Sequence, residues 1–234
     1  MSTYRSAAAI LLAGLLTGCV TTQTTSFTPS AGQQALVRDG RSVLRSAKPK
    51  TEILASPTAR EAPLGARSAL VIGIRNVSKQ PVTFHLAGVA ATQIGGPHDG
   101  HDLKVYTYEE LVTEERNRQI AAAIFAGVAA GANAYGASRS SHNPYVRSWN
   151  QQIAAQQNAD LVQSVAVQGE INLATLETTI IKDNTLMPGE TYGGVLVVSP
   201  PTTSDVAKPS DYRLSITIEG DRHEFVVNQR PVAR

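Results

Sequence analysis

His98-Asp99-Gly100-His101-Asp102 brings two imidazoles and two carboxylates into five consecutive residues. These are donor types that bind Zn²⁺ or another divalent ion when a loop folds around it. No further ligand is marked elsewhere in the sequence, and glycine-flanked His-Asp runs suit solvated turns. The stretch therefore reads as a turn, with a metal-dependent hydrolase centred on His98 and His101 as the alternative. Glu109, Glu110, Glu114 and Glu115 have the look of paired acids. They fall where a helix begins, a position that favours negative charge, and read as solvated residues. His85 lies within a β-like run and His223 near a hairpin, so both are expected to be structural. The chain contains no GxSxG elbow, no HExxH helix and no phosphate-cradling GxxxxGK[ST] loop. A non-enzymatic protein without a cofactor is the expectation.

Cys19 is the only cysteine in the 234 residues, and it directly follows Leu15-Leu16-Thr17-Gly18. The residues before it form an export pattern: Arg5 is the charged start, Ala7 to Leu16 the apolar middle, and small residues complete it. About ten apolar residues are too few for a spanning helix, which needs about 20. Leu16-Thr17-Gly18-Cys19 resembles the lipobox of bacterial lipoproteins. The resemblance implies removal of residues 1–18 and acylation of Cys19, including palmitate-type chains on its sulfur and new amino group. Several acyl chains make a stable anchor where one is marginal. A thiol consumed in this way leaves none for disulfides, metal-thiolate sites or nucleophilic catalysis. Val20 stands where an aspartate would imply retention in the inner membrane. The implied destination is the periplasmic face of a Gram-negative outer membrane. The formal net charge of +2 drops by one with the loss of Arg5, which argues against a nucleic-acid partner.

Beyond the anchor, residues 19–34 are rich in Thr, Ser and Gln and read as a flexible tether. From Ala35 the pattern becomes β-like, with Asp39-Gly40 marking a two-residue hairpin. Leu70, Ile72 and Ile74 alternate before a turn at Asn76 to Gln80, and Val82 and Phe84 begin the return strand. The run from His101 to Tyr108 predicts one more strand. Thr107-Tyr108-Glu109-Glu110 then has the form of a capping box, with Tyr106 and Leu111 as its hydrophobic staple. It opens a helix expected over Tyr108 to Tyr135. A second helix is expected from about Ser148 to Glu177, with Ile153, Leu161, Val165 and Leu176 facing the core. Strand patterns resume after Asp183, with turns at Pro188-Gly189 and at Glu219 to Arg222. These readings predict an α+β fold: an antiparallel, immunoglobulin-like β-sandwich built from residues 35–106 and 181–234, interrupted by a helical hairpin over 107–180. A β-barrel is the second choice.

Ile120 to Ala137 is eighteen residues without a charge, flanked by Arg116, Arg118 and Arg139, and it contains the spacing Gly127-xxx-Gly131. Packing within a soluble hairpin is the first expectation; membrane insertion or self-association is the alternative. Tyr106, Tyr108, Tyr135, Tyr145 and Trp149 gather around the helices in a chain with only one tryptophan. Tyr135, Arg139, His142, Tyr145, Arg147 and Trp149 form the expected partner-binding tip, because aromatics and arginines dominate interfaces. The functional expectation is an outer-membrane-anchored binding, scaffolding or assembly module of the envelope, with an envelope protein as its partner.

Overall fold

The computed structural model describes residues 22–203, 205 and 208–232. The expected export signal and Cys19 lie outside them. Among the described residues there are fourteen strands and two long helices, an α+β fold with antiparallel sheets. They divide into two compact units: Tyr106–Asp183 with Gly194–Leu196, and the remainder.

The β unit is built from β1 (Thr22–Thr28), β2 (Gln33–Arg38), β3 (Arg41–Ala47), β4 (Thr51–Pro57), β5 (Glu61–Pro63), β6 (Ser68–Asn76), β7 (Val82–Phe84), β8 (Val89–Ile94), β9 (Asp102–Leu103) and β10 (Val105–Tyr106). After the helices follow β11 (Asn184–Leu186), β12 (Thr191–Val198), β13 (Ser210–Ile218) and β14 (Asp221–Pro231). One six-stranded sheet runs β5-β1-β14-β13-β8-β9, the other β10-β12-β6-β4-β3-β2, and β11 pairs with β7 apart from both. Period-two alternation decides which faces are buried. Leu70, Ile72 and Ile74 of β6 join Ile53 and Ala55 of β4 on one side of the core. Tyr212, Leu214, Ile216 and Ile218 of β13 with Phe225 and Val227 of β14 supply the other.

The tight turns are the ones their sequences demand. Asp39 and Gly40 both have positive φ between β2 and β3, as do Glu219 and Gly220 between β13 and β14. That is the signature of a type I′ hairpin, whose twist matches that of its strands.

Three expectations are corrected. Residues 22–28, read as tether, form β1, hydrogen-bonded between β14 and β5, while residues 33 and 34 open β2. Thr is a β-branched residue at ease on a pleated surface, and the partners in β14 lie some two hundred residues away. The single strand expected from His101 to Tyr108 is two, β9 in the first sheet and β10 in the second. The switch falls at Lys104, whose amide and carbonyl are both bonded to Ser199. The second choice, a single barrel, is not what the described strands form: they make two six-stranded sheets and one of two strands.

Candidate functional site

The helical unit holds the features that set this chain apart. α1 spans Tyr108–Arg139 and α2 spans Pro144–Thr179, lengths of about 48 and 54 Å at 1.5 Å per residue. Both bonds of the capping box are present: Glu110 N donates to Thr107 Oγ1 at 3.2 Å, and Thr107 N to Glu110 Oε2 at 3.1 Å. α1 runs one turn beyond Tyr135, and α2 begins earlier than Ser148, because Asn143 caps it by accepting from Tyr145 N at 3.0 Å and Pro144 suits its first turn.

Small and polar side chains make the seam between the helices. Only Leu111, Glu115 and Ala126 of α1 and Ala154 and Gly169 of α2 are buried. At one level Gln119 Nε2 donates to Gly169 O at 2.8 Å, possible because Gly169 has no Cβ in the way. Beside it the Glu115 carboxylate accepts from Asn172 Nδ2 at 2.8 Å and pairs with Arg118 at 2.9 Å. Toward the tip, Asn158 Nδ2 donates to Ala130 O at 3.1 Å, and Asn158 Oδ1 accepts from Asn133 Nδ2 at 3.3 Å. Glu115 is therefore a buried clasp and not a solvated acid. Ile153 and Leu161, expected in the core, are exposed; α2 turns Ala154 and Gly169 inward instead.

This packing leaves the large apolar residues outside. Residues 115, 119, 122, 126, 130 and 133 recur at helical spacing along the seam. At about 100° per residue, Ile120, Ile124, Val128 and Tyr135 fall on the far side of α1. All four are exposed, Val128 at 67% and the neighbouring Phe125 at 74%. Nothing lies within 4 Å of a side chain built on Gly127 or Gly131, so their small-residue face is also open. α1 is long and apolar enough to cross a membrane by length and composition, and only 6% of that apolar window is buried. The far side of α2 is more polar: Gln152, Gln156, Asp160, Gln163 and Glu170 are exposed there, interspersed with Ile153, Val167 and Ile171.

The predicted tip residues occupy the turn between the helices. Arg139 stacks over the Tyr135 ring at 4.7 Å from its centroid, a cation–π contact. Arg147 Nε donates to Ser141 O at 3.0 Å and ties α2 to the loop. Tyr145 is 85% exposed, and Trp149 and His142 are exposed as well.

His98 and His101 stand on the loop before β9. Their rings lie 6.5 Å apart, and among the described residues no three His, Cys, Asp or Glu side chains converge on one point. Asp99 instead accepts from Gly95 N at 2.7 Å, and Gly100 N donates to Gln93 O at 3.0 Å, so the loop is stapled by its own bonds.

Within the β unit a buried polar chain joins the two sheets. Ser46 Oγ lies 2.9 Å from His223 Nδ1, His223 Nε2 lies 2.8 Å from Thr51 Oγ1, and Thr51 donates to Asp221 Oδ2 at 2.9 Å. His223 is fully buried, and burial pushes its imidazole down to about 4. The order of groups suggests a nucleophile and its base, but Ser46 is 2% exposed on β3 and presents no hydroxyl to a substrate. The chain is a clamp. Nothing in the local sequence signals it, because its members come from β3, β4 and β14.

No protein-family model matches the chain, and neither a curated protein nor a solved structure is found to be similar to it.

Proposed function

We propose that this chain is a non-enzymatic binding or assembly module of the bacterial envelope, lipid-anchored through Cys19 at the periplasmic face of the outer membrane, with its helical hairpin as the binding element. In this reading the β unit is an immunoglobulin-like sandwich. Two antiparallel sheets with a shared alternating core support it, with β1 to β5 as additions to the basic strand set. The observation that carries the functional part is the far side of α1, where Ile120, Ile124, Val128 and Tyr135 stand in the open. The largest apolar patch on a soluble monomer, typically a few hundred Å², is often its functional surface. Immunoglobulin-like folds serve many roles, so the hairpin and not the sandwich selects the function.

A photo-crosslinking residue placed at Val128 in growing cells is expected to give adducts with an envelope component. The same residue at Gln156, on the polar side of α2, is expected to give far fewer. Labelled palmitate is expected to enter the protein and to be lost in Cys19→Ala. Equal crosslinking at both positions, or unlabelled wild-type protein, overturns the reading.

A further inference from the structure

We infer that what covers the far side of α1 is lipid: the hairpin sets α1 against acyl chains while the far side of α2 stays in water. The inference rests on the hairpin being the binding element and names its partner. Amphipathic character belongs here to the pair of helices and to neither one alone. α1 presents Ile120, Ile124, Phe125 and Val128 outward with no charge among them, while α2 presents Gln152, Gln156, Asp160 and Gln163 in the opposite direction, with Ile153, Val167 and Ile171 between polar residues. A body that is apolar on one side and polar on the other partitions to a membrane–water boundary.

The charges fit the same partner. No acidic residue occurs from Asn117 to Ala159, and cations stand at the ends of the apolar run: Arg116 at one, beside an Arg118 paired with Glu115, and Arg139 and Arg147 at the other. Arginine side chains at these margins reach the phosphates of a lipid headgroup layer while their stems stay in apolar surroundings. Tyr135 is exposed on the far side of α1 toward the tip, whereas the exposed Tyr145 and Trp149 share the side of α2 that carries Gln152 and Gln156. Tyrosine and tryptophan, apolar in body and polar at the edge, concentrate at membrane interfaces.

A second copy of the chain fits less well. The uncharged run of eighteen residues is about 27 Å long, and a stripe about 10 Å wide along it covers about 270 Å². A stable interface between proteins in water takes about 800 Å² from each partner. The acyl layer has no such area requirement, because each exposed apolar side chain gains on its own.

The test uses the mature chain from residue 19 with Cys19→Ser, so that binding does not depend on the anchor. Trp149→Phe frees the chain of tryptophan, and Val128→Trp or Gln156→Trp then places one reporter on either side of the hairpin. Circular dichroism checks that both variants keep their helices. With vesicles of phosphatidylethanolamine and phosphatidylglycerol, the reporter at 128 is expected to shift its emission to the blue and to be quenched by brominated acyl chains. The reporter at 156 is expected to remain quenched by iodide from the water. A reporter at 128 that stays open to iodide overturns the lipid assignment. If it becomes shielded without vesicles as protein concentration rises, a second copy is the occupant and the hairpin keeps its binding role. If it stays open in vesicles, at high concentration and in native envelopes, the lipid assignment and the proposed function fall together.

Discussion

His223 Nε2 lies 2.8 Å from Thr51 Oγ1, and this contact sets the direction of a proton chain between the two sheets. Thr51 gives its one proton to the Asp221 carboxylate, so it must accept from Nε2–H. Nδ1 is then bare and accepts from Ser46. Every member is satisfied with a neutral imidazole, in a position fully closed to water.

Stability is therefore expected to depend on pH in a defined window. Burial lowers the folded imidazole to about 4, from an ordinary 6.5 in the unfolded chain. The unfolded state binds the proton first on acidification. The contribution is complete above pH 6.5 and is lost as pH falls through 6.5 toward 4, about 3 kcal/mol across the full window. Urea unfolding at closely spaced pH values should show this slope, and His223→Gln should flatten it. An equal slope in the variant would assign the effect elsewhere. Glu52, whose carboxyl the hydrogen bond from Arg45 holds below its usual range, acts at lower pH.

Asn76, fully buried at the end of β6, satisfies its whole side-chain amide. Nδ2 donates to Gln80 O at 2.8 Å and Leu186 O at 2.9 Å, while Oδ1 accepts from Ser78 N at 2.9 Å and Ser78 Oγ at 2.8 Å. It ties the turn after β6 to the turn before β12. Asn76→Ala removes the donor from the buried Leu186 carbonyl and the acceptor from Ser78, and is expected to cost about 2 kcal/mol, read as a lower urea midpoint with an unchanged slope. A loss below about 0.5 kcal/mol, the range of ordinary surface changes, would refute this role.

Glycines in β12 and in α1 should respond in opposite ways. A Cβ on Gly193 would come within 2.6 Å of Ile72 O, and one on Gly194 within 2.8 Å of Thr179 O and Ile181 N. Backbone atoms cannot step aside, so either alanine is expected to cost about 2 kcal/mol. Gly127→Ala and Gly131→Ala meet open space, and each should stabilise the chain by up to about 1 kcal/mol through helix propensity. Thermal melts of the four variants separate the cases. Destabilisation by alanine at 127 or 131 would mean that a neighbour packs on that face.

The features that sequence by itself determined are those governed by neighbours in the chain. The capping box at Thr107, the Asp39-Gly40 and Glu219-Gly220 turns and the alternation of β6 and β13 each need only a few adjacent residues to select one conformation. They were legible for that reason, and the tip residues from Tyr135 to Trp149 were legible because one turn gathers them. Tertiary structure decided what depends on partners far away. Thr22–Thr28 is composed like a tether and becomes a strand only because β14 and β5 offer it two open edges. His223 acquires its partners from β3 and β4, which no spacing in its own segment encodes. The alanine- and glycine-rich α1 left the choice of inward face undetermined, since no strong apolar stripe picks one. Gln119 meeting Gly169 made that choice, and with it put Ile124 and Val128 on the outside.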